Sequence, residues 1–381
     1  MIYLDNSATT KPYKEVLDTF VTVSEKYFAN PSSLHSKGGE AENLLSQARK
    51  SIAQLLEVAP SEVIFTSGGT EGNNIAIKGI AFQHQNRGKH LITTSVEHAS
   101  AYESFQYLEK QGFNVTYLPV NTEGMISLED LEGAIRPETI LVSVIHVNNE
   151  TGTIQPVKEI GNILKKHPKI FFHVDNVQGI GKVPLPLKDW GIDLCTISAH
   201  KIHGLKGNGV LFVKNGVTLS SLFTGGEQEL KKRAGTENVA GIVAMAKALR
   251  LILQEMNEMK EKILAVKRLF LEGLEDMEDV EINTPEDYTA PHIINFSVKG
   301  VKPEVLIHSL DKRDVYVSTR SACSSKQGGA SRILLEMGLG EKRASTAIRI
   351  SISYATTLEE AGHALRILKE EILNFKKVMR S

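Results

Sequence analysis

Between residues 63 and 213, short apolar runs that close on polar or glycine residues alternate with stretches of helical character. That alternation constrains the fold more than any other feature. Residues 63–66, 90–94, 114–119, 140–147, 170–174 and 193–197 are rich in β-formers and too short for buried helices, so they read as strands. Residues 210–213 return as one more β-segment. Strands alternating with helices imply an α/β fold, with a mostly parallel sheet covered on both faces. Such sheets bind ligands outside the carboxyl ends of their strands. The residues at those ends therefore matter most. Thr70, His98, Asn149, Asp175, Gln178, Ser198, His200 and Lys201 all follow strand ends and are expected to converge on one site.

The run at residues 193–197 anchors this reading. It leads into Ser198, His200 and Lys201, then into a glycine-studded loop at residues 204–209. A lysine ammonium in that crevice is costly to hold unless it is paired, neutralised or covalently joined. A Schiff base with a carbonyl cofactor meets the requirement, and a surface lysine beyond a strand is the alternative. The turn at residues 67–74 follows a strand and opens a helical run from Ile75, so it offers free N–H groups and a positive dipole end to an anion. It lacks the Gly-Lys-Ser/Thr of a nucleotide-binding P-loop and the glycine spacing of a dinucleotide site. A plain helix N-cap is the other reading.

Elsewhere, apolar residues recur at helical spacing over residues 39–56, and Pro12 suits the first turn of a helix. A long helical stretch spans residues 239–273, of the kind that links two domains. Beyond it, strands near residues 293–298 and 316–318 and helices near Glu304 and after Leu358 suggest a smaller α+β domain. We expect a large cofactor-binding domain at 15–255 and a small domain formed by 1–14 and 256–381. Lys+Arg 44 against Asp+Glu 45 gives a formal net charge of -1, which argues against direct nucleic-acid binding as the main task. The 2 cysteines stand far apart, so no disulfide framework is implied. No apolar run is long enough to span a bilayer and no signal peptide is visible, so a cytoplasmic protein is expected.

The strings SGGTEGNN, EHAS, HVNNETG, HVDNVQG, SAHKIHG, RAGTEN, SACSS and AIRIS follow one another along the chain. In this order and rough spacing they resemble the cysteine desulfurases, pyridoxal-phosphate enzymes of fold type I in the class V aminotransferase group. The resemblance runs over nearly the whole chain. It implies that Lys201 carries pyridoxal phosphate and that Asp175 pairs with the pyridinium nitrogen, making the ring an electron sink. Gln178 and Asn149 would hydrogen-bond the ring oxygen, and His98 would stack on the ring and shuttle protons. Gly69, Thr70, Ser198 and His200 would hold the phosphate, with Thr236 reaching it from the other subunit of a homodimer.

Arg349, inside the apolar run at residues 347–352, would clamp the substrate α-carboxylate together with Asn149; a structural salt bridge is the alternative. Cys323 lies in a polar, glycine-rich stretch beside Arg320 and Lys326, which would favour its thiolate. It is the expected nucleophile toward the sulfur of L-cysteine, leaving L-alanine and a persulfide. Cys195, within an apolar strand, reads as inert. No metal site is expected, although Cys323 could touch an iron–sulfur cluster transiently. The loop around Cys323 resembles the nitrogenase-associated and housekeeping iron–sulfur type. The chain stops at Ser381 without the longer tail common in housekeeping members, which weakens an iron–sulfur scaffold as the expected sulfur acceptor and leaves room for a dedicated one such as a tRNA-thiolating enzyme. Competing readings are a selenocysteine lyase or aminotransferase of the same group, or a non-catalytic partner that kept the fold.

Overall fold

A computed structural model describes residues 1–319 and 329–380. Its strands are β1 (Ile2–Tyr3), β2 (Val63–Thr66), β3 (His90–Thr94), β4 (Asn114–Leu118), β5 (Thr139–Ile145), β6 (Phe171–Asp175), β7 (Leu194–Ser198), β8 (Gly209–Val213), β9 (Val280–Ile282), β10 (Ile293–Val298), β11 (Val315–Tyr316) and β12 (Ala347–Ser351). Seven of them form the central sheet, in the order β2-β8-β7-β6-β5-β3-β4. Only β8 runs against its neighbours, pairing antiparallel with β2 and β7, so the sheet is mostly parallel as expected. Apart from the edge strand β4, its strands are buried almost throughout, because helices cover both faces.

Two smaller sheets stand beside it. β12, β10 and β9 form an antiparallel three-stranded sheet, and β1 pairs in parallel with β11. The first residues of the chain thus lie against its last third, and an isolated bridge from Asp5 to Ser351 extends that contact. No helix of the described residues is long and apolar enough to cross a membrane.

Two expected elements differ in detail. The helical run from Ile75 already begins at Gly69, because Gly68, with φ 148, turns the chain directly from β2 into the helix Gly69–His84. The glycine turn is therefore the first helical turn itself. The single long helix expected at 239–273 is two helices, Val239–Glu258 and Lys260–Glu275, hinged at Met259 (φ -116, ψ 15). No proline or glycine causes the break. The two halves face different layers: the first packs on the helices Lys14–Lys26 and Ser36–Leu55, the second on Leu358–Arg380 and the β9/β10 pair.

Candidate active site

The carboxyl ends of β5, β6 and β7 open into one cavity of about 140 Å³, room for several waters or part of a small ligand. Gly69, Thr70, His98, Asn149, Asp175, Gln178, Ser198, His200, Lys201 and Arg349 all line it. Every sequence-derived candidate among the described residues is there except Thr236. Thr236 is exposed and sits instead beside Tyr27, Phe28 and Pro31. Cys323, with Arg320 and Lys326, lies outside the described residues.

Lys201 ends a short 3-10 turn that follows β7 (Ala199–Lys201). Its Nζ donates to the carbonyl oxygens of Ser7 and, at 2.8 Å, Ala8. The N-terminal loop thus forms one wall of the cavity. Gln178 donates to the same Ser7 carbonyl at 3.0 Å. Asp175, at the tip of β6, is 2 % exposed. One of its oxygens accepts from the Val177 amide at 3.0 Å and the other from Asn73 Nδ2 at 2.7 Å. Asn73 also donates to Ser100 Oγ at 2.8 Å, which in turn bonds His98 Nδ1 at 2.8 Å. A chain of polar contacts therefore runs from the buried Asp175 to His98.

His98 caps the helix Ala99–Lys110. Burial pushes its imidazole below the ordinary range, with the Asp175 carboxylate pulling the other way. Burial and the Lys201 charge push His200 down to about 4. Both rings are neutral at physiological pH, so each has one donor and one acceptor nitrogen to offer. Arg349 is 1 % exposed; it donates to the Asn149 carbonyl at 2.8 Å and pairs with Asp5 at 2.8 Å. The structural salt bridge is formed, and Arg349 also lines the cavity. Cys195 is fully buried in β7, and burial pushes its thiol up, as fits an inert core residue.

Ser7 Oγ, Asn149 Oδ1, Ser198 Oγ, His200 Nδ1 and Arg349 Nε belong to residues that line this cavity and have no hydrogen-bond partner among the described residues. Each such atom costs about 1–3 kcal/mol if left unpaired. Five in one cavity, at a helix N-terminus and beside a lysine, call for a polar, anionic ligand. This donor set fits pyridoxal phosphate: an anion at the helix end, a carboxylate for a ring nitrogen and an amine for a carbonyl.

The class-V aminotransferase family model matches residues 2–363. The chain belongs to that family. Within it, the chain is 45% identical over 381 residues to a NifS/IcsS protein homolog of Lactobacillus delbrueckii subsp. bulgaricus, covering 99% of each chain. It is 43% identical to the cysteine desulfurase IscS of Clostridium botulinum, over 97% of this chain and 94% of that one. A solved NifS-like protein superposes with a TM-score of 0.92 at 36% identity, over 98% and 99% of the two chains. The chain is thus a class-V aminotransferase homologue of the cysteine desulfurase group, with the fold of the NifS-like proteins.

Sequence reasoning missed four contributors to the site. Asn73 stood in the quoted SGGTEGNN string without a role, and its place one helical turn beyond Gly69 was a usable signal. Asp5, Ser7 and Ala8 lie some 190 to 345 positions from their partners, and no spacing rule reaches that far.

Proposed function

We propose that this chain is a cysteine desulfurase that binds pyridoxal phosphate and removes sulfur from L-cysteine as a persulfide on Cys323, leaving L-alanine. The cavity's unpartnered polar atoms around Lys201 and Asp175 carry this reading. Family membership and the desulfurase relatives support it. Bound at Lys201, the cofactor would supply an electron sink for the bonds at the substrate's α-carbon.

The chain's own residues do the rest. The Gly69–Thr70 turn, Ser198 and His200 would hold the phosphate; Asp175, oriented by Asn73, would pair with the ring nitrogen; Asn149 and Gln178 would hydrogen-bond the ring oxygen, and His98 would lie against the ring. Lys201 and His98 would move the proton at the substrate α-carbon. Arg349 and Asn149 orient the α-carboxylate. The Cys323 thiolate then attacks the substrate sulfur. An S–S bond forms, the carbon–sulfur bond breaks, the substrate sulfur is oxidised, and the β-carbon is reduced and takes a proton. Cys323 passes the sulfur to an acceptor protein of iron–sulfur assembly or tRNA thiolation. The homodimer belongs to this reading, with Thr236 given to the partner's site, and so does a cytoplasmic setting for a chain with only 2 cysteines.

Alanine and sulfide release from L-cysteine tests it. Wild type is expected to make both in the presence of a thiol reductant, while Lys201→Ala and Cys323→Ala make neither. Alanine production by Cys323→Ala at the wild-type rate would transfer the chain to the lyase or aminotransferase reading.

A further inference from the structure

The turn at residues 95–98, which carries His98 away from β3, is held by a residue with no role so far. Glu97 is fully buried. Its Oε1 accepts from Thr94 Oγ1 at 2.8 Å and from the Ile145 amide at 2.8 Å. Ile145 closes β5, lines the cavity, and pairs in register with Asp175 on β6. Arg332 grips the same turn from outside, donating to the Ser95 and Glu97 carbonyls while its guanidinium lies 4.1 Å over the Tyr102 ring. Glu97 Oε2 has no partner among the described residues.

We infer that Glu97 is a positioning residue of this site: its buried carboxyl group, bonded to Thr94 and to the Ile145 amide, locks the turn that carries His98 against the strand end beside Asp175. The inference rests on the functional reading above, in which His98 and Asp175 face the cofactor.

The carboxyl group does this as a neutral acid. A buried carboxylate with an oxygen lacking any donor is costly, and Asp175 adds like-charge repulsion. Burial, opposed by the two hydrogen bonds, pushes Glu97 up to about 8. The charged and titratable groups around it are Asp175 on β6, Arg332 from the last third of the chain, and His98 on its own turn; His98 in turn feels Asp175, Lys201, Arg332 and Arg349. The sign follows from linkage. The folded protein keeps the proton that the unfolded chain loses near the ordinary glutamate range, so this stabilisation is full in acid and is lost as pH rises toward about 8. Above that, a second negative charge appears beside Asp175. It disturbs the field that Asp175 sets at this end of the cavity.

Glu97→Gln keeps the accepting oxygen and cannot ionise. Thermal unfolding and alanine formation from L-cysteine, both on the cofactor-loaded protein between pH 6 and 9.5, separate the possibilities. At pH 7, Glu97→Gln is expected to match wild type within about twofold in kcat, and Glu97→Ala to fall at least tenfold with KM for L-cysteine within about threefold. Between pH 6 and about 8, wild type is expected to lose melting temperature steadily relative to Glu97→Gln, and toward pH 9 to lose activity as well, while Glu97→Gln stays flatter in both. Superimposable pH profiles for wild type and Glu97→Gln overturn the inference, as does full activity in Glu97→Ala. If Glu97→Ala does not fold, the glutamine comparison still decides. If wild type forms no alanine at all, the functional reading fails, whereas the melting profiles still judge Glu97.

Discussion

Asp175 is nearly buried, and each of its carboxylate oxygens needs a donor there. Two donors supply them, the Val177 amide and Asn73 Nδ2. Asn73 is 0 % exposed, and its amide also fixes Ser100 on the way to His98. Removing it leaves a carboxylate oxygen without its donor, a loss of about 1–3 kcal/mol. For Asn73→Ala we expect roughly tenfold weaker binding of pyridoxal phosphate, equivalent to ~1.4 kcal/mol. Spectrophotometric titration of the cofactor-free protein measures this directly. Unchanged affinity together with a lower melting temperature would reduce Asn73 to a packing residue. Arg349 stands out as a charge in an apolar run, whereas Lys201 and Asp175 are marked by their strand ends together with the family resemblance. Asn73 could not be picked out, since a helical asparagine after a glycine turn has many uses.

At the scale of elements, the sequence told strand from helix through the central sheet, where burial on both faces leaves little ambiguity. It misplaced the start of the helix Gly69–His84 because glycine and threonine weaken the helical pattern in the turn that matters most. The tertiary reason for those glycines is contact. A Cβ on Gly72 would stand 2.7 Å from the Thr196 methyl carbon, and one on Gly69 2.8 Å from Val177. Thr196 cannot easily yield, as its hydroxyl bonds His173 Nε2 at 3.0 Å inside the sheet. Gly72 therefore sets how closely the helix start approaches β7, and with it where the free amides point. Gly72→Ala is expected to cost about 1–3 kcal/mol by overpacking. It should also weaken pyridoxal phosphate several-fold while leaving pyridoxal, which lacks the phosphate, nearly unaffected. Parallel titrations with the two compounds make the comparison. Equal loss for both would mean that the whole cavity has shifted, not the anion cradle.

At the scale of the whole molecule, one cavity draws on distant parts of the chain. The loop after β1 meets Lys201 and Arg349, the helix after β2 meets β7, and β12 brings Arg349 to Asn149. Among the described candidates, Thr236 alone stays outside. It is exposed, and it lies next to Phe28, which is 78% exposed, with Leu34 nearby in sequence at 106%. Apolar side chains left this open near a polar candidate are what a subunit interface covers. If a second copy covers this face and Thr236 enters the partner's cavity, each site needs Lys201 from one subunit and Thr236 from the other. Thr236→Glu, which sets a carboxylate against the phosphate, and Lys201→Ala should then each be inactive alone. Co-expressed, they should form heterodimers with one intact site, restoring about a quarter of wild-type alanine formation at random assortment. Sedimentation should find a dimer throughout, and Phe28→Glu should shift it toward monomer. A monomeric wild type, or co-expression that restores nothing although heterodimers form, would mean that Thr236 does not serve a partner's site.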